Sequence, residues 1–286
     1  MKILVTGGAG FIGTNLIRKL KNYGHSIISI DNYTSGLKTN HIEGVEYITA
    51  DINDETYYKS LSFDAVFHLA AMARIQPSFV EPVKYFETNA LGTIKLAEYC
   101  SKNNIPMVYA GSSSHHSGKF KNPYTFSKDV GEEIIKLYQH HYNLKSSIAR
   151  FYNVYGSNQL KSGSYCTLIG IWEDCMERNL PLKIYGDGTK RRDFTHVDDI
   201  VDGLYKIVEQ NVWSSIFEFG RGKNYSIKEI ANMFGGKIVY DEDRPGEAKE
   251  TLCDIAFAKS LLNWEPKINI EDYIKDFLIR LENNNG

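Results

Sequence analysis

The chain has 286 residues, 42% of them hydrophobic and 24% charged, with a formal net charge of -2. This is ordinary globular composition, enough for one large α/β domain or two modest ones around a real core. It excludes a basic nucleic-acid binder, since the densest cationic run, Lys190-Arg191-Arg192, ends at once in Asp193; it also excludes a membrane-spanning helix, since no apolar run approaches ~20 residues.

In chain order, the apolar run Lys2–Thr6 reads as a strand and leads straight into Gly7-Gly8-Ala9-Gly10-Phe11-Ile12-Gly13. A helical pattern follows over Phe11–Gly24. Strand, glycine loop and helix N-terminus together make a cradle for a pyrophosphate: glycines allow close approach, and the free N–H groups carry partial positive charge. The spacing is Gly-x-x-Gly-x-x-Gly rather than the usual Gly-x-Gly-x-x-Gly. The second strand, Ser26–Ile30, is followed by Asp31, about 20 residues downstream of the loop, placed for the hydroxyl pair of an adenine ribose. An acidic group there repels the extra phosphate of NADP, so the cofactor expected is NAD.

Further strands are expected at Glu46–Thr49, Ala65–Leu69, Met107–Ala110 and Ser146–Arg150, with helices at Pro82–Lys102 and Pro123–Tyr142. Alternation of strand and helix predicts a Rossmann-type, doubly wound parallel sheet with helices on both faces. Asn122-Pro123 reads as an N-cap followed by proline at the first helical position. Tyr124 and Lys128 then share one helix face at i and i+4. A free tyrosine titrates near 10. Lowering that by ~3 units takes about 4 kcal/mol, which a cation ~4 Å away supplies at an effective dielectric of ~20. Lys128, joined by a positively charged nicotinamide, is therefore expected to make Tyr124 a base. Gly111-Ser112-Ser113-Ser114 stands at the end of the preceding strand, where such sheets bind ligands; counting from that strand favours Ser112, with Ser113 next.

The second half is less regular. Helices are expected near Thr167–Arg178, Val197–Glu209, Ile227–Phe234 and Ile270–Leu281, and strands at Leu182–Tyr185 and Ile216–Phe219. The division expected is a NAD-binding domain over 1–155, with 188–215 packing back onto it, and a smaller α/β substrate lobe over 156–286, with a cleft between. The polar tail 282–286 is expected to lack structure. Cys100, Cys166, Cys175 and Cys253 are scattered, which predicts buried thiols in a reducing, cytoplasmic setting rather than disulfides or a zinc site. The N-terminus does not read as a signal peptide.

Nearly end to end, these motifs resemble the extended short-chain dehydrogenases, specifically the NAD-dependent sugar-nucleotide epimerase/dehydratase group that includes UDP-glucose 4-epimerase. Thr6–Gly13 is similar to that group's cofactor loop and Asp31–Gly36 to its ribose segment. Asp51-Ile52 resembles its adenine contact, and His68-Leu69-Ala70-Ala71 the strand under the pyrophosphate. Asn89 lies in a helix motif of the group, Asn89–Thr93. Arg150–Gly156 resembles its segment between nicotinamide and substrate. Ile184–Gly188, Arg192–Phe194, Val197–Asp199 and Arg244–Glu247 match in the second half. The resemblance implies cofactor contacts from Gly7, Gly10, Phe11, Ile12, Gly13, Asp31, Asn32, Asp51, Ile52, Leu69, Ala70, Ala71, Asn89, Tyr124 and Lys128. It implies that Asn153, Arg192 and Arg244 grip the diphosphate and nucleotide of a nucleotide-sugar, which suits arginine forks. It also implies a homodimer through the helices Pro82–Lys102 and Pro123–Tyr142, with Leu91, Ile94, Val130, Ile134 and Leu137 supplying apolar surface.

One stretch departs from the pattern. Ser114–Lys121 is shorter than usual and lacks Val-Tyr-Gly after the serines, which leaves the choice of serine open and points to a more open sugar pocket. His115-His116 has no evident third ligand in sequence, so no metal is expected. Three chemistries share this scaffold: 4-epimerisation, 4,6-dehydration and decarboxylation of a uronic acid. The acid–base pair of the dehydratases and the glutamate of the decarboxylases are both missing beside the serines. That leaves NAD-dependent 4-epimerisation, of a UDP-sugar by resemblance, as the reading, with a 4-ketoreductase and a cofactor-binding module without chemistry as rivals.

Overall fold

The computed structural model describes residues 1–285, with the side chain of Asn285 excluded. Its frame is a seven-stranded sheet in which every pair is parallel. The spatial order is Ile216–Phe219, Ser146–Phe151, Met107–Ser112, Ala65–His68, Lys2–Thr6, Ser26–Asp31 and Glu46–Thr49. The central strands are almost wholly buried and apolar on both sides, as a covered parallel sheet requires.

Two cores sandwich the sheet. On one face Leu16, Ile17 and Leu20 of helix Phe11–Asn22 meet Ile200, Leu204 and Ile207 of helix Val197–Glu209, together with Leu262 and Trp264. On the other, Leu96 and Cys100 pack with Ile135, Tyr138 and Tyr58. The strand Ile216–Phe219, expected within the substrate lobe, is the seventh strand of this sheet. The chain that returns to the first domain therefore extends beyond residue 215, because Phe217, Phe219 and Trp264 complete its core. A third core, around Trp172, Ile184, Phe234 and Phe277, belongs to the second lobe.

Several local features explain the placements. Helix Pro123–Tyr142 begins and ends where its signals stand: Asn122 Oδ1 accepts from the Thr125 N–H (2.7 Å), and Asn143 closes the helix in the left-handed region. The segment expected as one helix over Pro82–Lys102 is instead helix Pro82–Phe86, a π-helical turn at Glu87–Gly92 and helix Thr93–Lys102. Three short strands of the second lobe, Arg191–Asp193, Asn224–Ser226 and Ile238–Asp241, were not expected; the first two are mostly polar, and the third is a mostly apolar four-residue run paired in parallel with Leu182–Tyr185. The tail expectation is corrected: residues 282–285 continue helix Ile270–Asn285, and Gly286 lies outside the described residues. No helix among the described residues is long and apolar enough to cross a membrane.

Candidate active site

A cavity of about 1450 Å³ runs between the C-terminal ends of the sheet and the second lobe. It exceeds the size that holds one small ligand. Gly7 turns at φ 71°, and a Cβ there would lie 2.9 Å from the backbone of Ala70. A Cβ on Gly13 would lie 2.2 Å from the Gly7 carbonyl oxygen, so only glycine lets helix Phe11–Asn22 start against the loop. No side chain caps that helix, which leaves its first N–H groups to a ligand phosphate. The loop therefore fits a dinucleotide.

Asp31 is buried beside the loop. Its Oδ2 accepts from the Ala9 N–H (3.0 Å) and its Oδ1 from the Tyr33 N–H (2.8 Å). Burial raises its pKa above the ordinary carboxylate value, and those two N–H groups oppose the shift. A Cβ on Gly36 would sit 2.8 Å from both carboxylate oxygens, so the ribose segment closes over this acid. Gly7, Gly10, Phe11, Ile12, Gly13, Asp31, Asn32, Ile52, Leu69, Ala70 and Ala71 all line the cavity.

Two residues expected against the cofactor do not line it. Asp51 is exposed and holds Asn32 in place, accepting from its Nδ2 (2.9 Å) and from the Asn53 N–H (2.9 Å). Asn89 is buried in the π-helical turn, and its amide is spent on protein. Its Oδ1 accepts from the Met72 N–H, and its Nδ2 donates to the Met72 carbonyl (3.0 Å) and to Ser127 Oγ (2.9 Å). It ties the segment after the fourth strand to the Tyr124 helix. His68 is likewise structural: it bridges Thr6 Oγ1 (2.7 Å) and Thr93 Oγ1 (3.0 Å), and burial lowers its pKa to about 3.

At the centre, the Tyr124 hydroxyl donates to Ser112 Oγ (3.1 Å), and Ser112 Oγ lies 2.9 Å from Ser114 Oγ while accepting from the Ser114 N–H. Ser112 thus joins Tyr124 to Ser114. Ser114, left without a role when the serines were counted from the strand, faces the same cavity and ends this hydroxyl chain. Ser113 also lines the cavity but makes no hydrogen bond to Tyr124 among the described contacts.

Lys128 makes no hydrogen bond to Tyr124 among the described contacts. Lys128 Nζ donates to the Ala110 carbonyl (2.6 Å) and lies over the Tyr109 ring, 4.3 Å from its centroid. Burial lowers its pKa to about 8, with Glu132 opposing. Tyr124 is pushed up, by burial first; the hydroxyl of Ser112 and the charge of Arg74 pull the other way. Arg74, which the tyrosine–lysine spacing could not reveal, lines the same cavity as Tyr124. It lies in the short stretch 72–74, between the pyrophosphate segment His68–Ala71 and the helix Ile75–Val80.

The second lobe brings Asn153, Arg192 and Arg244 to the same cavity. Asn153 has φ 24°, and its Nδ2 donates to the Asp193 carbonyl (2.9 Å) and Thr251 Oγ1 (3.1 Å), so it has no N–H left for a phosphate. Arg192 pairs with Glu247 (3.4 Å) rather than with Asp193. Asp193 instead receives backbone N–H groups from Arg221, Gly222 and Cys253 and organises the turns around it. The Arg244 guanidinium stacks 3.4 Å above the Tyr185 ring.

The shortened stretch after the serines forms a short 3₁₀ turn, Ser113–Ser117. His115 Nδ1 meets Asp129 Oδ1 (2.8 Å), and His116 Nε2 meets Glu218 Oε1 (2.9 Å). The fold brings Asp129 and Glu132 near His115, with ligand atoms within 4.8 Å of one another. Glu132, however, accepts three hydrogen bonds from Arg150, a cation already seated where a metal would compete.

A glycine-cradled dinucleotide loop beside a Tyr-x-x-x-Lys helix defines a nicotinamide-dependent enzyme of the short-chain dehydrogenase type. The chain belongs to the NAD dependent epimerase/dehydratase family, whose sequence profile matches residues 3–220, and NAD is its cofactor. It is 35% identical over 306 positions, covering 99% of each chain, to a Methanocaldococcus jannaschii protein provisionally named a UDP-glucose 4-epimerase. It is 33% identical to the UDP-glucuronate 4-epimerase of Thermodesulfobacterium geofontis, over 95% of this chain and 93% of that one. Among solved structures it is similar to the UDP-glucose 4-epimerase of Thermotoga maritima with UDP-glucose, at 28% identity and a TM-score of 0.92 over 100% of both chains.

Proposed function

We propose that the chain is an NAD-dependent 4-epimerase of UDP-linked sugars. The observation that carries this is the hydroxyl chain Tyr124–Ser112–Ser114, to which no carboxylate among the described residues is hydrogen-bonded. Expulsion of water needs a further acid and base next to the sugar. The carboxylates lining the cavity are engaged elsewhere: Asp31 with the phosphate loop, Glu81 with Lys84, and Glu247 with Lys190 and Arg192.

NAD, held by Gly7–Gly13 and Asp31, would supply the hydride acceptor for sugar C4 and the hydride that is returned. Tyr124 takes the C4 hydroxyl proton and gives it back to the C4 oxygen, a general base and then a general acid, while the hydride returns to the opposite face of C4. Ser112 fixes the phenol, and Ser114 offers its hydroxyl to the same oxygen. Arg192 and Arg244 hold the diphosphate and nucleotide while the 4-keto ring turns; Asn153 shapes that end through its strained backbone and its link to Asp193. Substrate deuterated at C4 gives an epimer that keeps the label at C4, with no added cofactor consumed. Label in free NADH, or a 4-keto-6-deoxy product, would replace this reading with a reductase or a dehydratase.

The assembly that fits is a homodimer in the cytoplasm. All four cysteines are free thiols, which suits a reducing compartment. Leu91 and Leu137 are exposed on the two helices, near Val83 and Phe120, while Ile94 and Ile134 partly face the sheet core. A groove lined by Phe126, Val130, Ile134 and Leu137 continues this apolar face, and a second copy of the same helices would cover it. Light scattering at the monomer mass of 32.6 kDa would refute the dimer.

A further inference from the structure

Arg74 is the cation that the proposed reaction leaves without a task. It stands where the chain enters helix Ile75–Val80, and its side chain lines the same cavity as Tyr124 and Ser112. Its Nε and Nη2 both donate to one atom, the Tyr165 carbonyl oxygen (3.1 and 2.8 Å). Its own carbonyl is held by the Tyr85 hydroxyl (2.9 Å), and the Tyr85 ring meets Tyr124 edge-on with centroids 6.3 Å apart.

No carboxylate among the described residues lies within 4 Å of this guanidinium, in contrast to Arg150, which has Glu132 and Glu218, and Arg192, which has Glu247. The ionisable groups whose charge reaches Arg74 are Tyr124, Cys166 and Tyr85, all neutral near pH 7, and burial works against its charge. A guanidinium carries five N–H donors in a fork matched to a carboxylate. Here both donors with a protein partner converge on one oxygen, and the remaining three are free. Arg74 is half-buried and opens on the cavity, so a counter-charge that lowers the cost of its charge can come from what binds there.

The position selects the anion. In the proposed reaction the dinucleotide phosphates go to Gly7–Gly13 and the substrate diphosphate to Arg192 and Arg244. Arg74 shares the cavity with both groups, and Tyr85 ties it to Tyr124: the Tyr85 hydroxyl holds the Arg74 carbonyl while its ring lies edge-on to Tyr124. What lies against Tyr124 in the proposed reaction is the sugar ring, and the anion a hexose ring carries is the C6 carboxylate.

We propose that Arg74 receives a carboxylate on the sugar, so that the substrate is a nucleotide-linked hexuronate. This rests on the 4-epimerase reading for its chemistry but not for its binding test. UDP-glucuronate, UDP-glucose and UDP are titrated by calorimetry into the NAD-loaded protein, wild type, Arg74→Gln and Arg74→Lys. The wild type is expected to bind UDP-glucuronate at least ~10-fold more tightly than UDP-glucose, the low end for a hydrogen-bonded charge pair. Arg74→Gln abolishes that ratio, and Arg74→Lys keeps part of it, since the charge stays and the fork is lost. If Arg74→Gln does not fold, the lysine variant carries the comparison. No uronate preference in the wild type overturns the proposal. So does an equal loss for all three ligands in the variants, which assigns Arg74 to the diphosphate. Turnover is read separately: a uronate preference with no C4 epimerisation of either sugar keeps the carboxylate site and sinks the epimerase reading.

Discussion

Lys128→Met should make the cofactor-free protein more stable while lowering its turnover. Burial takes the Lys128 pKa from 10.5 to about 8. At about 1.4 kcal/mol per pH unit, keeping this lysine charged at pH 7 costs about 3 kcal/mol. The hydrogen bond to the Ala110 carbonyl, lost in the variant, is worth about 1 kcal/mol, so a net gain of about 2 kcal/mol is expected at pH 7. The pH dependence isolates the cause. Between pH 8 and 10.5 the unfolded chain holds the Lys128 proton more tightly than the folded one, so wild-type stability rises with pH through that window. The contribution is complete above 10.5 and lost as pH falls through 8. Urea unfolding of both proteins from pH 7 to 10 measures it, because tyrosines and cysteines titrating in the same range cancel in the difference. The advantage of Lys128→Met should shrink steadily above pH 8. A variant less stable at pH 7, or a difference that is flat in pH, would refute the claim that Lys128 is held at an energetic cost.

Tyr124→Phe removes the proton acceptor and keeps the ring; turnover should fall at least ~100-fold with NAD still bound, and near-normal turnover would remove Tyr124 from the chemistry. Asp31→Ala should weaken NAD and relax the rejection of NADP, read by equilibrium binding of both; a native protein that prefers NADP contradicts the role given to this acid. His68 titrates near 3 folded and near 6.5 unfolded, so its contribution is full above 6.5 and fades as pH falls through 3. Stability should drop by about 1.4 kcal/mol per pH unit below 6.5 from this group, and NMR should find its ring uncharged at pH 4.5. An imidazolium signal there would show that the Thr6–His68–Thr93 bridge opens.

The frame of the fold was legible because its strands are short apolar runs closed by breakers. Lys2–Thr6, Glu46–Thr49, Leu182–Tyr185 and Ile216–Phe219 begin and end where the pattern puts them. What the pattern could not supply was the partner of Ile216–Phe219: its neighbour is Ser146–Phe151, 70 residues back, and a local run of four residues carries no information about so distant a pairing. The strands Arg191–Asp193 and Asn224–Ser226 are three residues each, mostly polar and too short to show an alternating pattern, although Tyr225 reaches the third core. In the site, residue types that must contact a ligand through the backbone were readable, as with Gly7 and Gly13. Residues whose role depends on where a flexible or amide side chain turns were not: Asn89 spends its amide on Met72 and Ser127, and Lys128 turns to Ala110.

Three cations, Arg150 and Lys128 buried and Arg74 half-buried, show how this cleft is divided between structure and chemistry. Arg150 is neutralised by Glu132 and Glu218, and together they lock the sixth and seventh strands to the Tyr124 helix. A Cβ on Gly111 would come within 2.7 Å of Glu132, so the serine strand must carry glycine for this ion pair to form. That cation asks nothing of a ligand. Lys128 has a carbonyl dipole and an aromatic face, partners that orient a charge without cancelling it. Arg74 has one carbonyl. The two cations without counter-ions both border the cavity where Tyr124 works, and the one with counter-ions does not line it. A protein gains no stability from charges left in that state. Their placement makes sense when negative charge appears in the working site: on the Tyr124 oxygen when it has given up its proton to act as a base, and on an anionic group of the sugar beside it.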